Sequence, residues 1–136
     1  MQTRSFKFVY VLLVFSLSGC VSVVHFNQNS KSNENKNIQN YTEEGFASYY
    51  SDAFEGKETA SGEIFTQTEL TAAHRWLPFG TIVKVTNLEN GKSILVKIND
   101  RGPFVPNRII DLSKMASQKL GFYNKGIAKV RIEVVE

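Results

Sequence analysis

Apolar residues alternate with polar residues along much of the second half of the chain, and this pattern predicts a series of short strands. Residues 81–86 and 92–99 alternate in this way, and the turn-forming residues 87–91, which end in Asn-Gly, join them into a predicted hairpin. The last predicted strand covers residues 127–135. Its inward-facing positions are Ala128, Val130, Ile132 and Val134.

Three further segments complete the predicted elements. The aromatic-rich residues 45–50 form a short strand, and residues 108–111 form a short extended segment. Ser113 is a favourable helix N-cap and Gly121 a favourable C-terminal stop, so a helix of about two turns is predicted between them. Short strands, glycine-containing turns and one or two short helices indicate a mainly β fold, a small closed β-barrel within residues 44–136.

The first residues have the organisation of a secretory signal peptide. Arg4 and Lys7 form a basic start, and the apolar run 8–15 is too short to span a bilayer as a helix. The single cysteine follows in Leu-Ser-Gly-Cys, which resembles the bacterial lipobox. The resemblance implies that residues 1–19 are removed and that Cys20 begins the mature protein as a lipidated residue. A free thiol after an ordinary signal peptide is the alternative.

The lipobox also implies a location. Val21, directly after the cysteine, is similar to the residues that give default sorting to the outer membrane. We therefore expect a protein that is lipid-anchored in the bacterial envelope and faces the periplasm, at the outer membrane or alternatively at the cell membrane. Residues 20–43 would join this anchor to the barrel, and the polar stretch 27–40, with Ile38 as its one apolar side chain, is typical of a disordered, flexible tether.

The net charge gives no support for a polyanionic partner. It is +3 for the whole chain and falls to +1 once the signal peptide, with its two basic residues, is removed. No basic stripe with interleaved aromatic residues occurs, so we expect no nucleic-acid binding.

One polar turn ends a predicted strand abruptly. Asp100 and Arg101 precede Gly102, which permits unusual backbone angles, and Pro103, which lacks a backbone donor. Functional groups mounted at the ends of rigid elements commonly form a site. The alternative is that Asp100 only caps the turn or pairs with Arg101.

Three more polar groups lie among small or apolar neighbours, where a polar group is costly unless it is paired. They are Glu63, His74 and Asp111. Two carboxylates in unequal environments suit the cleavage of a glycosidic bond, one as a protonated acid and the other ionised. His74 could bind either carboxylate and separate their pKa values. The structural alternatives are a turn residue for Glu63, a buried core histidine for His74 and a helix cap for Asp111.

Aromatic residues extend this picture. The rings of Tyr49, Tyr50 and Trp76 could stack on a sugar, although they could equally belong to the core. Metal chemistry is disfavoured, because there is no His-x-x-x-His pair and no cysteine near the barrel. No G-x-S-x-G segment supports a serine nucleophile. We expect no metal and no cofactor.

Three segments resemble, in order, those of the rare lipoprotein A family. They read GFASYYSDAFEGKETASGEIF, LTAAHRWLPFGTIVKVTN and NDRGPFVPNRIIDLS, and the resemblance runs from about residue 45 to residue 135. It implies a six-stranded double-psi β-barrel related in shape to expansins and some endoglucanases. It also implies an endolytic lytic transglycosylase that cleaves MurNAc–GlcNAc bonds in peptidoglycan glycan strands, preferentially those without peptide stems. The family's functional residues fall on Glu63, His74 and Asp100.

The resemblance implies a mechanism without water. Asp100 would be the favoured general acid/base, and the muramoyl 6-hydroxyl would attack the anomeric carbon to leave a 1,6-anhydro end. Glu63 and His74 would position the sugar, and Glu63 stays an alternative acid because the adjacent positive charge of Arg101 favours ionised Asp100. Substrate would be bound by Tyr49, Tyr50, Trp76, Arg101 and Asp111.

Three alternatives remain open at this point. A noncatalytic, expansin-like lipoprotein would bind peptidoglycan through the same groove without cleaving it. A structural lipoprotein would act as a partner of cell-division or wall-remodelling proteins. A hydrolase would leave reducing ends in place of anhydro ends.

Overall fold

Six strands form the framework of residues 38–135, which are the residues described by the computed structural model. The strands are β1 Thr42–Tyr49, β2 Thr71–Ala73, β3 Ile82–Asn87, β4 Ser93–Asp100, β5 Arg108–Leu112 and β6 Ala128–Val134. They close into a barrel with the order β1-β5-β2-β4-β3-β6. The mainly β, closed six-stranded barrel predicted from the sequence is therefore confirmed.

Two parallel strand pairs lie side by side in this barrel. Strand β1 pairs in parallel with β5, and β2 pairs in parallel with β4, whereas β5 and β2 run antiparallel to each other. Parallel neighbours cannot be joined by a tight hairpin, so longer connections are needed. Residues 50–70 connect β1 to β2, and residues 101–107 connect β4 to β5. Both connections carry predicted site residues.

The core occupies the barrel interior and follows the predicted alternation. In β6 the four predicted inward positions are buried, and Lys129 and Arg131 between them are exposed. Strands β3 and β4 form the predicted hairpin, with Val83 paired to Val96. Other fully buried side chains of the core include Leu77, Val85, Ile98, Ile110, Leu112, Leu120 and Phe122.

The helix α1 spans Lys114–Lys119 and packs against the barrel. Its N-cap is Ser113, whose hydroxyl accepts a hydrogen bond from the Ala116 N–H, as the sequence predicted. The helix stops before Gly121, which has a φ of 77°. A short 3₁₀ helix at Asp52–Phe54 follows β1.

Two boundaries differ from the prediction. Strand β1 begins at Thr42, two residues before the predicted domain start, because Thr42 and Glu43 pair with Glu133 and Ile132 of β6. Ile38, predicted to lie in the tether, packs against the core instead, since it is the one apolar side chain of that polar stretch. The polar composition of the whole stretch conceals the packing of a single apolar residue.

Most predictions for the N-terminus concern residues before Ile38. The signal peptide, Cys20 and most of the predicted tether lie outside the described residues. Within residues 38–135, no helix has the length and apolar character needed to cross a bilayer.

Candidate active site

Asp100 lies at the end of β4, just after a register shift. Ala72 of β2 pairs with Ile98 of β4, whereas the next residue, Ala73, pairs with Asp100, so Asn99 is an extra residue on β4. Bulges of this kind re-aim side chains and are common at barrel rims. The bulge therefore sets the position of the Asp100 carboxylate.

Three donors hold the Asp100 carboxylate. The Tyr50 hydroxyl donates to Oδ2 at 2.6 Å, and the backbone N–H groups of Ala60 and Arg101 each donate to Oδ1 at 2.9 Å. Such donors stabilise negative charge on a carboxylate. Burial, the bond to Asp100 and the negative charges of Asp100 and Asp111 raise the pKa of Tyr50, so its hydroxyl stays a donor.

The side chain of Arg101 is directed elsewhere. Its Nη1 donates to the Leu77 carbonyl at 2.9 Å, and its guanidinium carbon lies 3.8 Å from the centroid of the Phe79 ring. The alternative in which the Arg101 side chain pairs with Asp100 is therefore wrong: it is the backbone N–H of Arg101 that binds the carboxylate. The guanidinium fastens the turn to the loop that follows β2.

Asp111 is the fourth of the five residues of β5, and its side chain is 16% exposed. The Arg108 Nε lies 2.8 Å from its Oδ1, and Arg108 Nη2 donates to Oδ2 at 3.1 Å. Burial raises the pKa of Asp111, as does the negative charge of Asp100, while Arg108 opposes this shift. The helix-cap alternative for Asp111 is wrong, because the hydroxyl of Ser113 caps α1.

Strand register places Asp100 and Asp111 on the same face of the barrel wall. Ser48 of β1 pairs with Asp111, Asp111 with Ala73 of β2, and Ala73 with Asp100. Directly paired residues on neighbouring strands project to the same side of a sheet. The neighbouring row, which includes Leu112, Ala72 and Ile98, faces the core. The two carboxylates thus flank Ala73 on the outer face.

Ala73 contributes only a buried methyl group between the two acids. Adjacent strands are about 4.8 Å apart, so the α-carbons of Asp100 and Asp111 are separated by about 10 Å. A small residue between them leaves room for the carboxyl groups and the Tyr50 hydroxyl to approach one another above it.

Glu63 forms a separate anionic group beside this pair. Lys97 Nζ donates to its Oε1 at 2.9 Å, and Asn99 Nδ2 donates to its Oε2 at 3.0 Å. These two bonds hold the pKa of Glu63 below its usual value. The loop that carries Glu63 is fastened to the same strand end, since the Ser61 N–H donates to the Asn99 carbonyl. Glu63 is thus an ionised group at the edge of the site.

The His74 imidazole is buried, and its ring nitrogens contact backbone N–H groups and Glu43. Its Nδ1 accepts the Leu77 N–H at 3.1 Å, and its Nε2 lies 3.6 Å from Glu43 Oε2. Glu43 also accepts a hydrogen bond from the Tyr41 hydroxyl. Burial lowers the pKa of His74, although the negative charge of Glu43 opposes this shift. Only the His74 backbone reaches the site, where its N–H donates to the Asp100 carbonyl at 3.2 Å.

The three predicted aromatic residues have different surroundings. Tyr50 contacts Asp100, as described above, and packs against the Phe65 ring. Tyr49 packs against the core, and its hydroxyl donates to the Tyr123 carbonyl, so its ring is not part of the carboxylate face. Trp76 is 51% exposed and packs edge-on against Tyr41, with centroids 4.6 Å apart. Trp76 therefore presents ring surface to solvent.

The structure brings Tyr50, Asp100 and Asp111 to one face of the barrel, with Glu63 at its edge. The His74 side chain contacts Glu43, and its backbone N–H binds the Asp100 carbonyl. Sequence reasoning missed the groups that hold these residues: Tyr41, Glu43, Ala73, Lys97, Asn99 and Arg108. Asn99 could have been singled out because it directly precedes Asp100. Nothing in the sequence links Glu43 to His74. Among residues 38–135, no group of three acidic, histidine or cysteine side chains is arranged to hold a metal ion.

Comparison with known families gives one match that covers most of the described chain. Residues 42–132 match the family model of a double-psi β-barrel domain described as "Lytic transglycolase". A "Probable endolytic peptidoglycan transglycosylase RlpA" of Treponema pallidum (strain Nichols) is 58% identical over 89 residues, which cover 65% of this chain and 28% of that protein. The "Endolytic peptidoglycan transglycosylase RlpA" of Neisseria meningitidis serogroup A (strain Z2491) is 51% identical over 98 residues, 72% of this chain and 41% of the relative. The chain thus spans less than half the length of these two relatives.

Solved structures share the barrel. The Streptomyces papain inhibitor superimposes with a TM-score of 0.59 at 24% identity, over 71% of this chain and 96% of that one. An expansin of Clavibacter michiganensis superimposes with a TM-score of 0.56 at 23% identity, over 71% of this chain and 51% of the expansin. These likenesses confirm the predicted double-psi β-barrel.

Proposed function

Because the chain belongs to the lytic transglycolase family of double-psi β-barrel domains, we propose that it is an endolytic peptidoglycan lytic transglycosylase. The proposed substrate is the MurNAc–GlcNAc bond of glycan strands, preferentially strands without peptide stems. The high identity to two relatives named as peptidoglycan transglycosylases supports this activity. The motif residues that the sequence resemblance assigns to the family all lie within the matched region.

The observation that carries the proposal is the pair of unlike carboxylates on one face of the barrel. Asp100 accepts three hydrogen bonds that stabilise its charge, whereas burial raises the pKa of Asp111. Glycosidic-bond cleavage uses two such carboxylates, because one must donate a proton while the other stays ionised. Tyr50 holds the geometry of this pair through its bond to Asp100.

Exposed aromatic rings and an ionised carboxylate suit a sugar polymer. Trp76 presents an exposed ring, and Phe104, on the connection that follows Asp100, is 80% exposed. Aromatic rings stack against the C–H faces of pyranoses. Glu63 is an ionised acceptor for sugar hydroxyl groups, and His74 acts as a positioning residue through its backbone bond to Asp100.

We also propose that the protein is anchored in the bacterial envelope through lipid on Cys20 and faces the periplasm. The support is the sequence Leu-Ser-Gly-Cys directly after an apolar run. Cells fed labelled palmitate should incorporate label into the wild-type chain and not into Cys20→Ser. Equal labelling of both proteins would contradict the anchor.

The enzyme proposal is tested by digesting purified, peptide-free glycan strands and examining the soluble products by mass spectrometry. The wild type should release 1,6-anhydro sugars, and Asp100→Asn should release none while keeping its thermal stability. Pull-down with sacculi in parallel identifies the noncatalytic alternative. Sacculus binding by the wild type without any soluble product would replace the enzyme by an expansin-like binding module.

A further inference from the structure

The proposed reaction needs one group that carries a proton at neutral pH, and the surroundings of Glu63 exclude it from this role. Lys97 and Asn99 both donate to its carboxylate, one to each oxygen. Protonation would weaken both bonds, because each donor is attracted by the negative charge of the carboxylate. Because both bonds favour the charged form, Glu63 is ionised in the resting site.

Asp100 is also poorly arranged to donate a proton. Its Oδ1 accepts two backbone N–H groups, from Ala60 and Arg101, and neither donor can turn round to accept. Its Oδ2 accepts the Tyr50 hydroxyl at 2.6 Å. Because Oδ2 accepts only this one hydrogen bond among the described residues, it keeps a second lone pair that can take the proton of an incoming hydroxyl group.

Asp111 has the opposite arrangement. No backbone N–H binds its carboxylate, and no contact with correct hydrogen-bond geometry is made to its buried Oδ1 within residues 38–135. The Arg108 Nε is close to that oxygen at 2.8 Å but poorly aligned with it, and Nη2 makes the one aligned bond, to Oδ2. Its remaining small exposure leaves it accessible from the outer face of the barrel.

Three charged or titratable groups face Asp111 from the elements around it. Arg108 lies on its own strand, Asp100 lies across Ala73 at the end of β4, and Tyr50 follows β1. The charge of Asp100 raises the pKa of Asp111 and the charge of Arg108 lowers it, while burial makes the largest contribution and raises it. The pKa of Asp111 is therefore raised, because the effects of burial and of Asp100 together exceed the effect of Arg108.

From this geometry we propose that Asp111 is the catalytic acid of the site and that Asp100 is its base. This assignment rests on the proposed lytic transglycosylase function and differs from the expectation from sequence, in which Asp100 was the favoured acid, Glu63 the alternative acid and Asp111 a substrate-binding residue. Arg108 is then a positioning residue that acts through Asp111.

The reaction balances with these two groups alone. The Asp111 carboxyl gives its proton to the glycosidic oxygen as the bond between that oxygen and the muramoyl anomeric carbon breaks. The oxygen of the muramoyl 6-hydroxyl forms the new bond to the anomeric carbon, and its proton passes to Asp100. The products are a free hydroxyl on the GlcNAc side and a 1,6-anhydro ring, and proton exchange with solvent restores both acids.

The test is the pH dependence of kcat/KM in two charge-removal variants. Loss of a positive neighbour raises the pKa of a carboxyl group, so Arg108→Gln should move the basic limb of the profile to higher pH. The matched control is Lys97→Gln, which removes the positive neighbour of Glu63 and should leave the basic limb in place. Thermal melting of both variants shows whether the fold is kept.

The possible outcomes distinguish failure of the acid assignment from failure of the proposed function. A basic limb that moves in Lys97→Gln and not in Arg108→Gln would make Glu63 the acid and overturn the assignment. A limb unmoved in both variants would also overturn it, and the wild-type anhydro products would still support the function. Wild type that yields no anhydro product would overturn both.

A substitution of the acid itself gives a second readout. Asp111→Asn should lower kcat by about 10²–10⁴-fold, the usual contribution of a general acid, with little change in sacculus binding. Should Asp111→Asn fail to fold, ¹³C NMR of the carboxyl groups in the wild type tests the assignment without a measurement of activity. Asp111 must then titrate above the usual range of an aspartate, and titration within that range would contradict the assignment.

Discussion

At the scale of single residues, the imidazole of His74 is held between a backbone N–H and a carboxylate. Nδ1 accepts from Leu77, so the proton of the neutral ring lies on Nε2 and faces Glu43. The Tyr41 hydroxyl completes the group by donating to the same Glu43 oxygen. His74 thus acts in the structure of the loop after β2, and through its backbone it supports Asp100.

The buried histidine makes stability depend on pH. Its pKa is lowered in the folded chain, so between that value and 6.5, its ordinary value, the unfolded chain binds more protons. The free energy of unfolding should therefore decrease as pH falls below about 6.5. Urea unfolding at a series of pH values measures this slope. His74→Gln should flatten it, and an unchanged slope in the variant would show that another group is responsible.

The Tyr50 hydroxyl is the side-chain donor that holds Asp100. Tyr50→Phe keeps the ring packing against Phe65 and removes only the hydroxyl. Because a hydrogen bond to a charged group contributes about 1.5–3 kcal/mol, the free energy of unfolding should fall by that amount or somewhat less for this half-buried pair. Denaturant unfolding measures the loss. Tyr49→Phe, which removes a hydroxyl bonded to a carbonyl, is the matched control and should cost less.

At the scale of elements, the short strand β2 determines how close the two aspartates come. It pairs with β4 on one side and β5 on the other, and Ala73 lies between the two acids. Its three residues, Thr-Ala-Ala, carry no apolar alternation that could identify a strand. Its register could therefore not be read from the sequence, although the acids on either side were identified.

Enlarging Ala73 should separate the acids. Ala73→Val adds two methyl groups at a buried position, which typically destabilises a protein by about 1–3 kcal/mol. The release of anhydro products should fall more than the loss of folded protein explains. Lys129→Val on β6, an exposed position three strands away in the barrel order, is the control. Full activity per folded Ala73→Val molecule would contradict the role given to this strand.

A change at the N-cap of α1 should affect stability without affecting the pH dependence of activity. Ser113 is buried, accepts the Ala116 N–H and donates to the Glu69 carbonyl. Ser113→Ala should lower the free energy of unfolding by about 1–2 kcal/mol through loss of the cap. Thermal melting measures this change. The pH profile of activity should keep its shape, and a displaced basic limb would show that α1 takes part in setting the acid.

At the scale of the whole molecule, local patterns predicted most of the barrel. Alternation identified β3, β4 and β6, and the cap residues identified α1, because these depend on neighbours in sequence. The parallel pairs depend on connections that cross the barrel, and the packing of Ile38 depends on a core formed elsewhere.

The sequence selected the residues of the candidate site, but not the contacts that these residues make. Glu63, His74, Asp100 and Asp111 could be selected as polar groups in apolar surroundings. Their roles follow from contacts far apart in the chain, such as Glu43 with His74 and Lys97 with Glu63. Arg101 is the clearest case, since its neighbour in sequence is not the partner of its side chain.

The central claim is that glycan is cleaved by attack of its own 6-hydroxyl and not by water. The most direct measurement is mass spectrometry of peptide-free glycan strands digested by the full chain in H₂¹⁸O. The wild type should form 1,6-anhydro ends that carry no ¹⁸O, and Asp111→Asn should not form them. Reducing ends that carry ¹⁸O would make the protein a hydrolase and contradict the claim, and strands left uncleaved would contradict catalysis altogether.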